Sequence, residues 1–410
     1  MSIECLKCKE CGSTFELGAN YFCENCFGPL EVSYDLSELD ATEAKRRIQA
    51  GSQGIWRYAD FLPFEGRPGD PLEPGLTPLL RADRLAEALE LEAEVWIKND
   101  AANPTHSFKD RVVAVAVAKA RELGFETVAC ASTGNLANAV AAHAAAAGLE
   151  SYVFVPANLE EQKLLATGVY GTNLVGVRGN YDDVNRLCTQ LAETRPWAFV
   201  NVNLRPYYAE GSKTLAYETA EQLGWELPDR VVCPIASGSL FTKLGRGFQE
   251  WLDLGLLSGE QPVFNGAQAL GCSPVATAFA EGWDVCKPQK PDTIAKSLAI
   301  GDPADGPYAV EQARRSGGAI DSVTDDEIRA GIKLLAETTG IFTETAGGVT
   351  VGVLKKLAER GDVGAGERVV VYLTGEGLKT LDATRDTFQM HEIDPSLESF
   401  EAEFRQEVAV

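Results

Sequence analysis

The sequence predicts an α/β fold in which open parallel sheets are flanked by helices and preceded by a small cysteine-rich segment. Short apolar runs of strand length alternate with helical periodicity over most of the 410 residues. This alternation is typical of parallel sheets joined by crossover helices. The runs predicted as buried strands are 94–98, 127–131, 151–155, 173–177, 198–201, 231–235, 263–270 and 369–373.

The N-terminal segment carries two cysteine knuckles. Cys8 and Cys11 form the first Cys-x-x-Cys pair, Cys23 and Cys26 form the second, and glycine follows each pair closely. This spacing is typical of a zinc ribbon, with Cys5 as an alternative ligand at one end. Four thiolates leave no open coordination position, so we expect a structural zinc. A ribbon without metal, or an exposed redox pair, is the alternative.

The remaining elements suggest how the chain is divided. Helices are predicted over 36–50, 112–120, 135–148, 210–224 and 241–251. We expect a zinc-ribbon-like segment at 1–35, a large α/β domain from 36–115 together with 205–410, and a small α/β domain at 116–204.

Composition excludes several classes of partner. The chain has 37 basic and 60 acidic side chains, a formal net charge of −23. A field of this sign repels nucleic acid and anionic membranes, so we expect neither as a partner. The sequence shows no apolar run of membrane-spanning length and no signal-peptide core, which predicts a cytoplasmic location.

The segment NPTHSFKDR at 103–111 is the most informative part of the chain. It places Lys109 after a proline-containing turn and at the start of the apolar helix over 112–120. Free backbone N–H groups and a positive field at a helix start disfavour an ammonium there. A neutral lysine amine attacks carbonyl groups, so Lys109 is a candidate anchor for an aldehyde cofactor.

Three loops at strand ends supply groups that such a cofactor needs. One predicted strand leads into Ser132-Thr133-Gly134-Asn135 and a helix, and another leads into the segment 236–240 and a helix. Both loops are candidate anion sites, since backbone N–H groups gather at helix starts. The last strand ends in a third loop of similar design, at 374–379. Together with Lys109 they suit a molecule with an aldehyde, a phosphate and a pyridine ring, which is pyridoxal 5′-phosphate.

At this point the chain resembles the threonine synthases, among the fold type II pyridoxal-phosphate enzymes related to the tryptophan synthase beta chain. The resemblance spans nearly the whole chain and rests on the cysteine ribbon and on the segments at 103–111, 132–135, 210–214, 237–240, 344–348 and 374–379. It implies two open, twisted parallel-sheet domains with the cofactor between them, and a homodimer. One departure is His106, where the family often has glycine; it is either a polar lining residue or a proton relay.

The resemblance also implies roles for individual residues. Lys109 would form the Schiff base with the cofactor, and Phe108 would lie beside the ring. Asn135 would bind the O3′ oxygen, and Thr374 would meet the pyridine nitrogen, which a neutral hydroxyl leaves less protonated than a carboxylate does. The remaining implied contacts are the phosphate loop, Ser237, Gly238, Ser239 and Leu240; the substrate carboxylate site, Ser132 and Thr133; and the substrate phosphate site, Asn201, Arg205 and Lys213.

The implied reaction converts O-phospho-L-homoserine and water to L-threonine and phosphate by γ-elimination and β-addition. Two enzymatic alternatives stay open, a threonine dehydratase and an enzyme that forms cysteate from phosphoserine and sulfite. A third alternative is a zinc-ribbon adaptor with an inert α/β body.

Overall fold

The computed structural model describes residues 2–69, 71–159, 161–179, 181–385 and 387–404. Its strands, numbered in chain order, are β1 (Ser2–Cys8), β2 (Thr14–Phe15), β3 (Leu30–Asp35), β4 (Leu79–Arg81), β5 (Glu94–Asn99), β6 (Thr127–Ala131), β7 (Glu150–Pro156), β8 (Asn173–Val177), β9 (Ala198–Phe199), β10 (Arg230–Pro234), β11 (Val263–Ala269), β12 (Ile320–Val323) and β13 (Arg368–Leu373).

The α-helices alternate with these strands. They are α1 (Ala41–Gln49), α2 (Asp83–Ala88), α3 (Lys109–Glu122), α4 (Asn135–Ala147), α5 (Glu161–Gly168), α6 (Tyr181–Thr194), α7 (Arg205–Glu210), α8 (Lys213–Gln222), α9 (Ser239–Asp253), α10 (Pro274–Ala280), α11 (Gly306–Arg315), α12 (Asp325–Thr339), α13 (Thr345–Glu359) and α14 (Leu397–Glu403). Short 3₁₀ helices lie at Ile55–Phe61, Asp100–Ala102, Lys296–Leu298 and Gly377–Thr384.

The strands form three sheets. A six-stranded sheet has the order β12-β11-β10-β13-β5-β4, and only its edge strand β4 runs antiparallel to its neighbour. A four-stranded parallel sheet has the order β8-β7-β6-β9. Strands β1–β3 form a small antiparallel sheet at the N-terminus. Two parallel sheets flanked by helices confirm the predicted fold class.

Burial explains why the strands were visible in the sequence. Every residue of β6 and β10 is buried, as expected for parallel strands covered by helices on both faces. Strand β12 was missed because it is only four residues long and two of them are half-buried polar residues, Asp321 and Ser322. Among the described residues, no helix has the length and apolar character needed to cross a membrane.

Two helix predictions need correction. The helix predicted over 36–50 begins later, at Ala41, because the Asp40 side chain accepts a hydrogen bond from the Glu43 N–H and caps it. The helix predicted over 210–224 is divided into α7 and α8 at Gly211. A Cβ on that glycine would lie 2.5 Å from the Arg111 carbonyl oxygen, so α3 crosses the chain there in close contact.

Candidate active site

The turn that carries Lys109 is held by buried hydrogen bonds. His106 adopts a left-handed backbone conformation, with φ of 61°, and its N–H donates to the Asn103 carbonyl at 2.8 Å. The Asp110 carboxylate accepts from the Thr105 N–H at 2.9 Å and lies 3.0 Å from His143 Nε2. Glycine adopts a left-handed conformation more readily than a residue with a side chain, so the backbone of His106 is held in a conformation that histidine rarely adopts.

Behind this turn, α3 is anchored by a buried charge network. The Arg111 guanidinium donates to Asp100 at 2.7 and 2.8 Å and to Glu218 at 2.8 Å through each of two nitrogens. Glu218 also accepts from the Thr77 N–H at 2.8 Å and pairs with Lys98. These side chains are at most 2% exposed. They fix the start of α3, and therefore Lys109, relative to the six-stranded sheet.

Lys109 is half-buried and lies where loops from both parallel sheets meet. Its Nζ is 5.3 Å from the Phe108 ring centre and 5.8 Å from that of Tyr208. The Phe108 N–H donates to the Thr374 carbonyl at 2.8 Å, so the lysine turn and the loop after β13 are joined directly. Asn135, at the start of α4, reaches the same place from the four-stranded sheet.

A carboxylate that sequence reasoning left without a role lies at this meeting point. Glu344 is 2% exposed, and its oxygens accept from Asn135 Nδ2 at 2.9 Å and from the Thr374 hydroxyl at 3.3 Å. Burial raises the pKa of Glu344, against the opposing effect of these hydrogen bonds and of the positive charges on Lys379 and Lys109. A charged residue inside the small-residue run 344–348 was the sequence signal that identifies it.

A second lysine completes the arrangement. Lys379 Nζ donates to Asn135 Oδ1 at 2.9 Å and to the Thr105 carbonyl at 2.6 Å. Burial lowers the pKa of Lys379, although Glu344 and Asp110 oppose the change. The amide of Asn135 is thus oriented on both sides, with its oxygen toward Lys379 and its nitrogen toward Glu344.

The predicted phosphate loop has the geometry of an anion site. Gly238 precedes α9 with φ of 95°. The first N–H groups of a helix have no intrahelical partners, and in the described part of the chain no side chain caps α9. The Asp305 N–H donates to the Ser237 carbonyl at 2.8 Å. The Arg205 guanidinium, at the start of α7, pairs with Asp305 at 2.7 Å. The structure therefore brings Arg205 to the phosphate loop.

The predicted carboxylate site lies at the start of α4. Ser132 is 9% exposed and Thr133 is half-buried, in the loop between β6 and α4. Gly134 precedes the helix without a side-chain cap. Asn201, just after β9, carries a buried Oδ1 atom that has no hydrogen-bond partner among the described residues. A buried polar atom without a partner is uncommon and marks a place where a ligand or water is expected.

The structure does not bring Lys213 to these residues. Its Nζ lies 2.6 Å from Glu210 and 3.0 Å from Glu250, both buried, and 4.2 Å from the Tyr34 ring centre. This lysine is fully buried and already paired with two carboxylates, so it joins α8 to its neighbours on the side of the cysteine segment. These contacts differ from the predicted role of Lys213 as a substrate contact.

The four knuckle cysteines converge. The sulfur atoms of Cys8, Cys11, Cys23 and Cys26 all lie within 4.8 Å of one another. Gly12 follows the first knuckle with φ of 73°, the tight turn expected there. Cys5 lies outside this group in the described part of the chain. The donor set and its spacing are compatible with one tetrahedral zinc ion.

The residues present fit pyridoxal phosphate. An amine, an amide, a hydroxyl and an uncapped helix start are gathered between the two parallel sheets, and loops at the carboxyl ends of parallel strands are the usual place for a ligand in such folds. Within the described ranges, the buried Asn201 Oδ1 atom has no hydrogen-bond partner and the start of α9 has no side-chain cap, as expected of groups that bind a ligand.

Comparisons with known proteins agree with a site for pyridoxal phosphate. A family model described as pyridoxal-phosphate dependent enzyme matches residues 71–375. The processed form of threonine deaminase isoform 2 from Solanum lycopersicum has a similar structure, with a TM-score of 0.64 and 20% identity, over 84% of this chain and 86% of that one. The fold and site thus define a fold type II pyridoxal-phosphate-dependent enzyme.

Two relatives with higher sequence identity narrow the class of enzyme. A threonine synthase from Methanocaldococcus jannaschii is 37% identical over 92% of this chain and 93% of its own length. A threonine synthase from Methanosarcina acetivorans is 38% identical over 91% of this chain and 92% of its own length. The chain belongs to the threonine synthase family.

Proposed function

We propose that this chain converts O-phospho-L-homoserine and water to L-threonine and phosphate. The observation that carries the proposal is the meeting of Lys109, Asn135 and Thr374 between two parallel sheets, in a member of the threonine synthase family.

Distinct groups would hold the cofactor. Lys109 anchors its aldehyde, and Phe108 lies beside the ring. Asn135 binds the O3′ oxygen, Thr374 meets the ring nitrogen, and the backbone of 237–240 binds the phosphate through the start of α9. When bound, pyridoxal phosphate supplies an aldehyde for the substrate amine and a conjugated ring that disperses the negative charge left as C–H bonds break.

The substrate would lie between two anion sites. Ser132 and Thr133 bind its carboxylate at the start of α4. Arg205 binds its phosphate, assisted by Asn201, because a guanidinium matches phosphate with two parallel N–H donors. One nitrogen of Arg205 faces Asp305 at 2.7 Å, which fixes the direction of the remaining donors.

Lys109 also moves protons. Once the substrate amine has taken its place, its amine is free beside the α-carbon as a general base and acid. In the balanced reaction the bond between the γ-carbon and the phosphate oxygen breaks, the γ-carbon gains a hydrogen, and the β-carbon exchanges a hydrogen for the hydroxyl of water. Lys109 removes the α-proton, carries protons along this chain of carbons and returns one to the α-carbon.

Substrate choice tests the proposal. The holoenzyme is offered phosphohomoserine, phosphoserine with sulfite, or threonine alone, and phosphate, cysteate and ammonia are measured. We expect phosphate and threonine in equal amounts from phosphohomoserine. Turnover only with phosphoserine and sulfite would replace the proposal by a cysteate-forming enzyme, and ammonia from threonine without phosphohomoserine turnover would replace it by a dehydratase.

The proposal includes the assembly around the site. Cys8, Cys11, Cys23 and Cys26 bind one structural zinc, and the resemblance supports a homodimer. The net charge of −23 argues against a nucleic-acid partner, and the apolar pattern of the sequence supports a cytoplasmic location. The division into 1–35, 36–115 with 205–410, and 116–204 belongs to the same proposal. Metal analysis of the purified chain and light scattering of its holoenzyme test the zinc and the dimer.

A further inference from the structure

The carboxylate of Glu344 is fixed tightly against Thr374. The Glu344 N–H donates to the Gly375 carbonyl at 3.1 Å, and a Cβ on Gly375 would lie 2.5 Å from the Glu344 carboxyl carbon. The absence of that Cβ is what allows the close approach. The carboxylate therefore has one position relative to the loop after β13, and from it one oxygen faces the Thr374 hydroxyl at 3.3 Å.

The second carboxylate oxygen is equally well defined. It accepts from Asn135 Nδ2 at 2.9 Å, while Asn135 Oδ1 accepts from the Lys379 ammonium at 2.9 Å. An ammonium can only donate, so the amide oxygen must face Lys379 and the amide nitrogen must face Glu344. The acceptor role of Glu344 at this end is thus fixed by Lys379.

These contacts decide what the Thr374 hydroxyl can offer to a further partner. A hydroxyl has one hydrogen and two lone pairs. Because the hydrogen is directed at Glu344, only lone pairs remain, and any other partner must be a donor. A threonine without a carboxylate behind it would be free to rotate and to donate its hydrogen to a bare pyridine nitrogen instead.

We propose that Glu344 is a positioning residue that makes the Thr374 hydroxyl an acceptor and so favours the protonated N–H form of the cofactor's ring nitrogen. The inference rests on the proposed contact between Thr374 and that nitrogen. It also changes the earlier expectation that a neutral hydroxyl leaves the nitrogen less protonated. The Glu344–Thr374 pair places a carboxylate one hydroxyl away from the ring.

The proposed role requires the anionic form of Glu344. Burial raises the pKa of Glu344, and the hydrogen bonds from Asn135 and Thr374 and the charges of Lys379 and Lys109 counteract that effect. Protonation of Glu344 would place a hydrogen on the oxygen that faces Thr374, since the other oxygen already accepts from Asn135. The Thr374 hydroxyl would then accept from Glu344 and donate to the ring nitrogen, which would favour the unprotonated form of that nitrogen.

Glu344→Gln imitates this reversal without changing size. Asn135 presents a donor, so the new amide must turn its oxygen toward Asn135 and its nitrogen toward Thr374. The Thr374 hydroxyl then accepts from the amide and gives its own hydrogen to the ring nitrogen. The variant should therefore hold a bare, unprotonated pyridine nitrogen.

The test uses apoenzyme reconstituted with pyridoxal phosphate that carries ¹⁵N in the ring, and the measurement is the ¹⁵N chemical shift. Wild type should show a shift on the protonated side, and Glu344→Gln should move most of the way to the unprotonated value. Glu376→Gln is the matched control, because its carboxylate accepts from the Leu378 N–H rather than facing Thr374. It should keep the wild-type shift.

Thr374→Val separates failure of this inference from failure of the underlying contact. If Thr374→Val changes the shift and Glu344→Gln does not, Thr374 touches the ring but Glu344 does not orient it. If neither variant changes the shift, the proposed contact of Thr374 is itself wrong. Should Glu344→Gln fail to bind the cofactor, wild type alone still decides, because an unprotonated nitrogen in wild type overturns the inference.

Discussion

Replacing Glu218 by glutamine removes the carboxylate that joins α3, α8 and the loop before β4. Glu218 is fully buried. Its oxygens accept from Arg111 at two distances of 2.8 Å, from the Leu76 N–H at 2.7 Å and from the Thr77 N–H at 2.8 Å, and they pair with Lys98. With a neutral amide at position 218, Asp100 is the one carboxylate that still hydrogen-bonds Arg111 among the described residues, and Lys98 keeps only neutral partners, the Thr77 carbonyl and Gln222.

The expected cost follows from this geometry. Breaking a buried ion pair by removing one partner costs about 3–5 kcal/mol, because an uncompensated charge stays buried. We therefore expect Glu218→Gln to lower the free energy of unfolding by about 3–5 kcal/mol and, for a chain of 410 residues, the melting temperature by roughly 3–6 °C. Glu226→Gln is the matched control, because Glu226 pairs with Arg368 but is itself exposed. Exposed pairs contribute about 0.2–1 kcal/mol.

The difference in free energy of unfolding between wild type and Glu218→Gln should also depend on pH. Burial opposes the charge on Glu218, but Arg111 and Lys98 outweigh it and hold the pKa of this carboxyl below its usual range. A depressed pKa contributes stability that is present above the unfolded-state pKa of about 4.3 and is lost as the pH falls below it. The difference in free energy of unfolding between wild type and Glu218→Gln should therefore decrease as the pH falls below about 4.3.

Guanidinium unfolding of the holoenzyme, followed by tryptophan fluorescence at neutral pH, measures the effect. A loss from Glu218→Gln no larger than that from Glu226→Gln would refute the view that the network anchors α3. If the difference in free energy of unfolding between wild type and Glu218→Gln increased in acid, the pKa of Glu218 would not be lowered in the folded protein.

Two further predictions concern the phosphate loop and the cysteine segment. Gly238→Ala should weaken cofactor binding at least about tenfold in a titration, because its Cβ would lie 2.7 Å from the Asp305 carbonyl oxygen, in a left-handed residue. Gly255→Ala has a similar φ, but its Cβ would have no heavy atom within 4 Å from any described residue other than its chain neighbours, so this variant measures backbone strain alone. Equal cofactor affinities of the two variants would contradict the prediction. Cys8→Ser should abolish stoichiometric zinc in metal analysis, whereas Cys188→Ser should keep it; zinc retained by Cys8→Ser would mean that another ligand set holds the metal.

The architecture could be predicted from the sequence because its elements are determined by residues close together in the chain. Most strands of the two large sheets are short apolar runs, and the bounds of β6 and β8 agree with the prediction to the residue. The cysteine knuckles were visible for the same reason, since their spacing lies within one stretch of 26 residues. Where prediction failed, at the division between α7 and α8, the cause was a crossing by α3, about 100 residues earlier in the chain.

The candidate site was only partly visible, because its decisive contacts are distant in sequence. Asn135 meets Glu344 across 209 positions, and Lys379 meets Asn135 across 244. Motifs named the segments that hold these residues, but no spacing rule says that the three side chains form one connected set. Lys213 is the opposite case, a residue that was expected in the site and that the structure places elsewhere. A cation near the substrate segment was plausible until Glu210 and Glu250 were found to bind it.

Reaction of the holoenzyme with borohydride tests the central claim most directly. Borohydride reduces a Schiff base to a stable amine, so peptide mass spectrometry should find the cofactor on Lys109. In parallel, Lys109→Ala should lose phosphohomoserine turnover, while Lys355→Ala, an exposed lysine on α13, should keep it. Cofactor trapped on another lysine, or normal turnover by Lys109→Ala, would contradict the account.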